Sequence, residues 1–99
     1  MMALKTTRWD AAEMLTTPER VAAYLEEAFN DGDPTLITHA LGVAARAKGM
    51  AGISRKSGIS RQTLYRALSD EGNPEFATVL KVLETLGLKL KAVPAAEQA

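Results

Sequence analysis

MAGISRKSGISRQTLYRAL, residues 50–68, is the stretch around which the rest of the chain is organised. Gly58 stands at its centre. Two short helices that cross steeply need a tight turn, and glycine takes a left-handed conformation there without steric cost. Ile53 and the small Ser54 precede this glycine, Ile59 follows it directly, and Leu64 and Leu68 lie one helical turn apart beyond. Ile53, Ile59, Leu64 and Leu68 then form a core shared by the two helices, Ser54 lets them cross closely, and the other positions of the second helix face solvent. Ser60 is placed to cap that second helix. Its outward residues are Arg61, Gln62, Thr63, Tyr65 and Arg66. Arginine makes bidentate contacts to guanine and glutamine to adenine, each giving about 1–3 kcal/mol of discrimination, while hydroxyls suit phosphate oxygens. The pattern therefore predicts a helix-turn-helix whose second helix enters the major groove, with Ser60, Arg61, Gln62 and Arg66 on base edges. An ordinary solvated helix also carries Arg and Gln outward, but it does not need the turn glycine, the cap and the core spacing together.

Charge supports the same reading. The chain has 12 basic and 12 acidic side chains, yet residues 1–43 carry three basic and seven acidic ones and residues 44–99 carry nine and five. From Arg46 to Arg66 there are six basic residues and no acidic one. Local field, not net charge, attracts a polyanion. Arg46, Lys48, Arg55 and Lys56, together with Thr63 and Tyr65, are the expected phosphate contacts.

Ninety-nine residues suit one domain. The 46% apolar and 24% charged content is that of a globular protein, and no apolar run approaches the roughly 20 residues of a membrane span. MMALKTTRWDAAEM contains no apolar core of a secretory leader, and the absence of cysteine excludes disulfides and thiolate metal sites. The expected compartment is the cytoplasm.

Three regions follow: an arm and short helix over residues 1–16, a helix-turn-helix domain over 17–93 and a disordered tail over 94–99. In the arm, Thr-rich residues 3–9 read as an extended arm or an edge strand, Trp9 as a packing anchor, and Asp10 as the cap of a helix through Met14. Thr16 and Glu19 match a capping box, predicting a helix from Pro18 to Asn30 with Val21, Tyr24, Leu25, Ala28 and Phe29 on its buried face. Gly32 ends it, and Asp33 with Pro34 opens a helix to Lys48 whose inner face is Ile37, Ala40, Leu41, Ala44 and Ala45. Asn73 and Pro74 open the last helix, through Leu86, with Phe76, Val79, Leu80, Leu83 and Leu86 in its stripe and Val82 widening that stripe into a possible dimer contact. Gly87 closes it. LKLKAV, residues 88–93, alternates as a half-buried strand does, and such a strand needs a partner: residues 3–8, a second subunit or another protein.

Catalytic and cofactor chemistry find little here. Glu26 and Glu27 are neighbours in sequence and do not share a helix face. His39 is the one histidine and has no cysteine or second histidine to complete a metal set. GMAG and GLG lack the spacing of a nucleotide-binding loop. No enzyme, metal or cofactor is expected.

The helix-turn-helix residues resemble those of the Cro/C1-type (Xre-like) repressors. GISRQTLYRALSDEGNPEFATVLKVLETLGLKL, with LYRALS followed by GNP and an apolar helix closing on LGLKL, resembles the addiction-module antidote (HigA-like antitoxin) family more closely, and WDAAEMLTTPERVAAYLEEAFNDGDPTLITHALGVAARAKGM fits the same family. The likeness spans about residues 5–93. It departs at Ala51 and Gly52, where the family commonly opens the first helix of the motif with a better cap. The resemblance implies an all-α fold: a repressor-type five-helix domain with an extra N-terminal helix and a short C-terminal β-strand. It also implies an antitoxin of a type II toxin-antitoxin module that binds operator DNA as a homodimer, represses its own operon and neutralises a small basic RelE/HigB-like toxin encoded by the adjacent gene. Glu26, Glu27, Asp31 and Asp33, or the strand at 88–93, are the surfaces expected to meet such a toxin. The alternative is a stand-alone dimeric Cro/C1-type repressor.

Overall fold

Two prolines, each directly after a capping side chain, start the first two helices. In a computed structural model of the protein, which describes residues 15–95, helix α1 spans Pro18–Asp31 and α2 spans Pro34–Lys48. The cap of α1 is Thr17, whose hydroxyl accepts the Arg20 N–H at 3.2 Å, and not Thr16. Pro18 takes the first helical position and must follow its cap at once. Glu19 then falls one place short of the position that closes a capping box. Gly32 closes α1 in the left-handed region, and Asp33 caps α2 by accepting the Thr35 N–H at 3.0 Å.

Every residue of α2 from Ala40 to Ala45 is buried. Thr38, Gly42 and Val43 join the expected Ala40, Leu41, Ala44 and Ala45, so α2 is enclosed on more than one face, as a central helix is. Helix α3 covers Met50–Ser57, α4 covers Arg61–Ala67 and α5 covers Phe76–Thr85. Helix α1 packs on α2, while α3 packs against α2, α4 and α5 and so links the halves of the domain. Leu25, Leu41, Ile53, Leu64, Leu68 and Val82, drawn from all these elements and the α4 end, are the fully buried large side chains.

Four expectations change. The described residues hold five helices in all, so four, not five, follow Pro34. Helix α5 begins at Phe76 rather than at Asn73 or Pro74, and no side chain caps it. The chain after α4 first closes a turn, in which the Gly72 N–H donates to the Ser69 carbonyl at 2.8 Å, and Asn73 to Glu75 then lead into the helix. Its stripe is also rotated: Val82, Leu83 and Leu86 are buried with Val79 beside them, whereas Phe76 and Leu80 are 66% and 41% exposed. Finally, no strand occurs among the described residues, and residues 88–94 have no regular structure. Leu88 alone of the alternating segment packs on the core. A strand is defined by a ladder, and one copy of the chain supplies no second strand among these residues. The arm, Trp9, the helix expected over 10–14 and tail residues 96–99 lie outside the described residues. No helix within them is long and apolar enough to cross a membrane.

Candidate nucleic-acid interface

The turn between α3 and α4 is built as its residue types require. Gly58 adopts φ 80°, ψ 6°, and its N–H donates to the Ser54 carbonyl at 2.9 Å. The Ile59 N–H donates to the Ser57 hydroxyl at 3.1 Å, which turns the chain toward α4. Ser60 is extended and caps α4, its hydroxyl oxygen accepting the Thr63 N–H at 3.1 Å. Ile53, Leu64 and Leu68 are 1%, 0% and 1% exposed, and Ser54 and Ile59 are half-buried beside them. This junction carries Arg61, Gln62, Thr63, Tyr65 and Arg66 on its surface, all exposed.

The Ser60 hydroxyl also donates to Thr63 Oγ1 at 2.9 Å. Its one hydrogen is thereby engaged while it caps the helix, leaving Ser60 a single acceptor site. Thr63 accepts through oxygen and keeps its own O–H.

Lys48, Arg55 and Lys56 are exposed, as is Arg46. None of the six cations from Arg46 to Arg66 is held in a salt bridge among the described residues. Their charge is therefore uncancelled by contact. Arg46 differs from the rest in placement. Its guanidinium lies over Gly42, at the same spot that the Leu68 carbonyl abuts. Its charge also reaches Tyr24, whose phenol burial pushes above the ordinary range while Arg46 opposes the shift. Helix α3 opens at Gly49, which has no side chain to cap it, and Ala51 and Gly52, the expected opening, lie inside its first turn.

Two contacts that position α4 have no trace in local sequence pattern. Gly42 of α2 faces the Leu68 carbonyl, and a Cβ built there would stand 2.7 Å from that oxygen. His39, one turn earlier on α2, places Nδ1 at 2.9 Å from Asp70 Oδ1 in the loop after α4. His39 is thus a tether between α2 and that loop. No cluster of potential metal ligands occurs among the described residues.

A small helical domain with a Ser60-capped short helix that carries Arg61, Gln62 and Arg66 outward is the class that fold and site define. A family model described as a probable addiction module antidote protein matches residues 5–94. The chain belongs to this family of addiction-module antidotes, which implies a toxin as its partner. It is similar to an uncharacterized protein of Haemophilus influenzae, 48% identical over 83 residues that cover 84% of this chain and 86% of that protein. No solved structure matches the chain.

Proposed function

We propose that the chain is the antitoxin of a type II toxin-antitoxin module, with a Cro/C1-type helix-turn-helix formed by α3, the Gly58–Ser60 turn and α4. It binds operator DNA, represses its own operon and neutralises a small RelE/HigB-like toxin by direct contact. The observation that carries the DNA-binding part is the exposed set Arg61, Gln62 and Arg66 on a helix seated through Leu64 and Leu68, among six cations that form no salt bridge among the described residues. Arg61, Gln62 and Arg66 read base edges, and the remaining acceptor of Ser60 faces the groove beside them. Lys48, Arg55, Lys56, Thr63 and Tyr65 hold phosphates, and Arg46, occupied over Gly42, contributes chiefly to the field. One such motif reads a few base pairs, so a homodimer on symmetric half-sites about 10 base pairs apart, or a multiple of that, follows. Family membership supports the antitoxin part.

The test is expression of the tagged chain from its native operon, followed by a pull-down washed in high salt. Salt strips partners held through DNA and spares a packed protein interface. A stoichiometric small basic protein encoded by the adjacent gene is the expected result. Elution of the chain alone would replace the antitoxin reading by the stand-alone dimeric repressor.

A further inference from the structure

Helix α4 has seven residues, Arg61–Ala67, and among the helices it packs chiefly on α3. Two buried leucines one turn apart, Leu64 and Leu68, hold it down along a line but leave rocking about that line unopposed. Its C-terminal end is built differently. The Ser69 hydroxyl donates to the Arg66 carbonyl at 2.9 Å, and the Gly72 N–H donates to the Ser69 carbonyl at 2.8 Å. Gly72 lies so close to the end of α4 that a Cβ built there would collide with the Ala67 carbonyl. The turn from Ser69 to Gly72 is therefore fastened to α4 and moves with it. Helix α2 meets this end twice. Gly42 abuts the Leu68 carbonyl, and His39, three positions earlier and so on the same face of α2, places Nδ1 at 2.9 Å from Asp70 Oδ1. A carboxylate accepts, so the imidazole N–H donates. The first contact is a steric stop, and the second is a directional tie across 31 positions of sequence.

We propose that His39 and Asp70 are positioning residues for DNA reading: their hydrogen bond sets the direction in which α4 points, and thereby whether Arg61 and Gln62 at its other end meet base edges. This rests on the DNA-binding reading above. Seven steps of about 1.5 Å put roughly 10 Å between the tied end at Leu68 and the reading end at Arg61. A tilt of about 10° then moves the reading end by roughly 2 Å, beyond the about 0.5 Å that a preorganised contact tolerates. Bases and phosphates respond differently to such a tilt. Bidentate bonds from Arg and Gln to a base edge are directional and come from α4. Lys48, Arg55 and Lys56 lie on α2 and α3, so a tilt of α4 leaves these phosphate contacts in place. Loss of the tie therefore falls on sequence preference and spares general affinity for DNA. The effect has a ceiling. His39 and Asp70 are 34% and 74% exposed, and an exposed pair biases an equilibrium by up to about fivefold. Binding that needs one orientation weakens by the fall in that orientation's population, so about fivefold is also the limit here.

Fluorescence anisotropy of the full chain on two labelled duplexes tests this: the region upstream of its own reading frame, and the same bases scrambled. The ratio of the two dissociation constants is the readout. In His39→Ala and in Asp70→Ala this preference should shrink about twofold to fivefold, and His39→Ala should leave affinity for the scrambled duplex unchanged. The double variant should lose no more than either single one, because each removes the same bond. His39→Asn should restore the natural preference, since its amide nitrogen stands as many bonds from the backbone as Nδ1 does. His39→Gln, one bond longer, should not. Without DNA, the amide resonances of Arg61 to Ala67 should shift in His39→Ala and return in His39→Asn. A preference unchanged in His39→Ala, additive losses in the double variant, or an Asn variant no better than Ala would each overturn the positioning role. Both side chains are open to solvent, and the Asp70→Ala variant decides even if a His39 variant fails to fold. The two ideas fail differently: a natural chain that binds both duplexes equally removes the DNA-reading function itself, whereas a natural preference that His39→Ala leaves intact removes only the positioning role.

Discussion

At Gly42 there is no room for a side chain, because the Leu68 carbonyl occupies its place. Gly42→Ala gains about 1 kcal/mol of helix propensity and meets an overpacking cost of about 1–3 kcal/mol against backbone that cannot rotate away. The expected net effect is a loss of about 0–2 kcal/mol, read from urea unfolding. A clear gain in stability would mean that α2 and α4 do not meet as described. Ser60→Ala removes the cap of α4 and should cost about 1 kcal/mol in the same assay. For recognition, Gln62→Ala should erase preference at particular base pairs, while Lys56→Ala should weaken cognate and scrambled duplex alike and lower the salt slope by about 1. Equal loss on both duplexes for Gln62→Ala would remove the base-reading role. The seat of α4 was legible because Gly58, Ser60, Leu64 and Leu68 act within a dozen residues and each residue type has one local use there. Gly42 was not legible, since its reason lies 26 positions away in a carbonyl that has no residue signature.

Among the elements, α1 and α2 followed from the order cap then proline; Thr16 was read for Thr17 by preferring a side-chain pair over the position that proline enforces, and Phe29, expected on the buried face of α1, is exposed. Helix α5 was harder. Stripes through Phe76, Leu80 and Leu83 and through Val79, Val82, Leu83 and Leu86 both obey helical spacing, and apolar pattern alone does not choose between them. The neighbours choose: α3 packs on the side that buries Val82. The His39–Asp70 contact ties α2 to the loop after α4, with both partners partly open to water. His39→Ala should therefore change global stability by no more than about 1 kcal/mol, and its effect should appear as faster amide exchange around Ser69 to Gly72. Tyr24, between α1 and Arg46 of α2, gives a pH signature. Its folded-state pKa is raised chiefly by burial, so folding favours the protonated phenol. Stability should be fully present below the ordinary tyrosine range and fall as pH rises through it and beyond. Tyr24→Phe should flatten that alkaline decline, and an unchanged slope would mean that another group causes it.

For the molecule as a whole, the acidic first half and cationic middle stretch mean that the proposed binding to DNA depends on orientation. With the three phosphate-facing cations of the proposed interface, Lys48, Arg55 and Lys56, log affinity for duplex should fall against log salt with a slope of about −3 per protomer. A slope near zero would show that the cations do not meet phosphate. The segment at 88–93 marks the limit of reading one chain: its alternation is plain in sequence, but no strand forms there among the described residues. Helix connections tell something different. Two residues join α1 to α2, one joins α2 to α3, and three join α3 to α4. Helices that pack on their sequence neighbours belong to the topologies that fold in about microseconds to milliseconds, whereas a ribosome needs about 5–20 s for a chain of this length. Synthesis, not folding, then sets how quickly new antidote can meet its toxin, and stopped-flow refolding on the millisecond scale or faster is the expected observation.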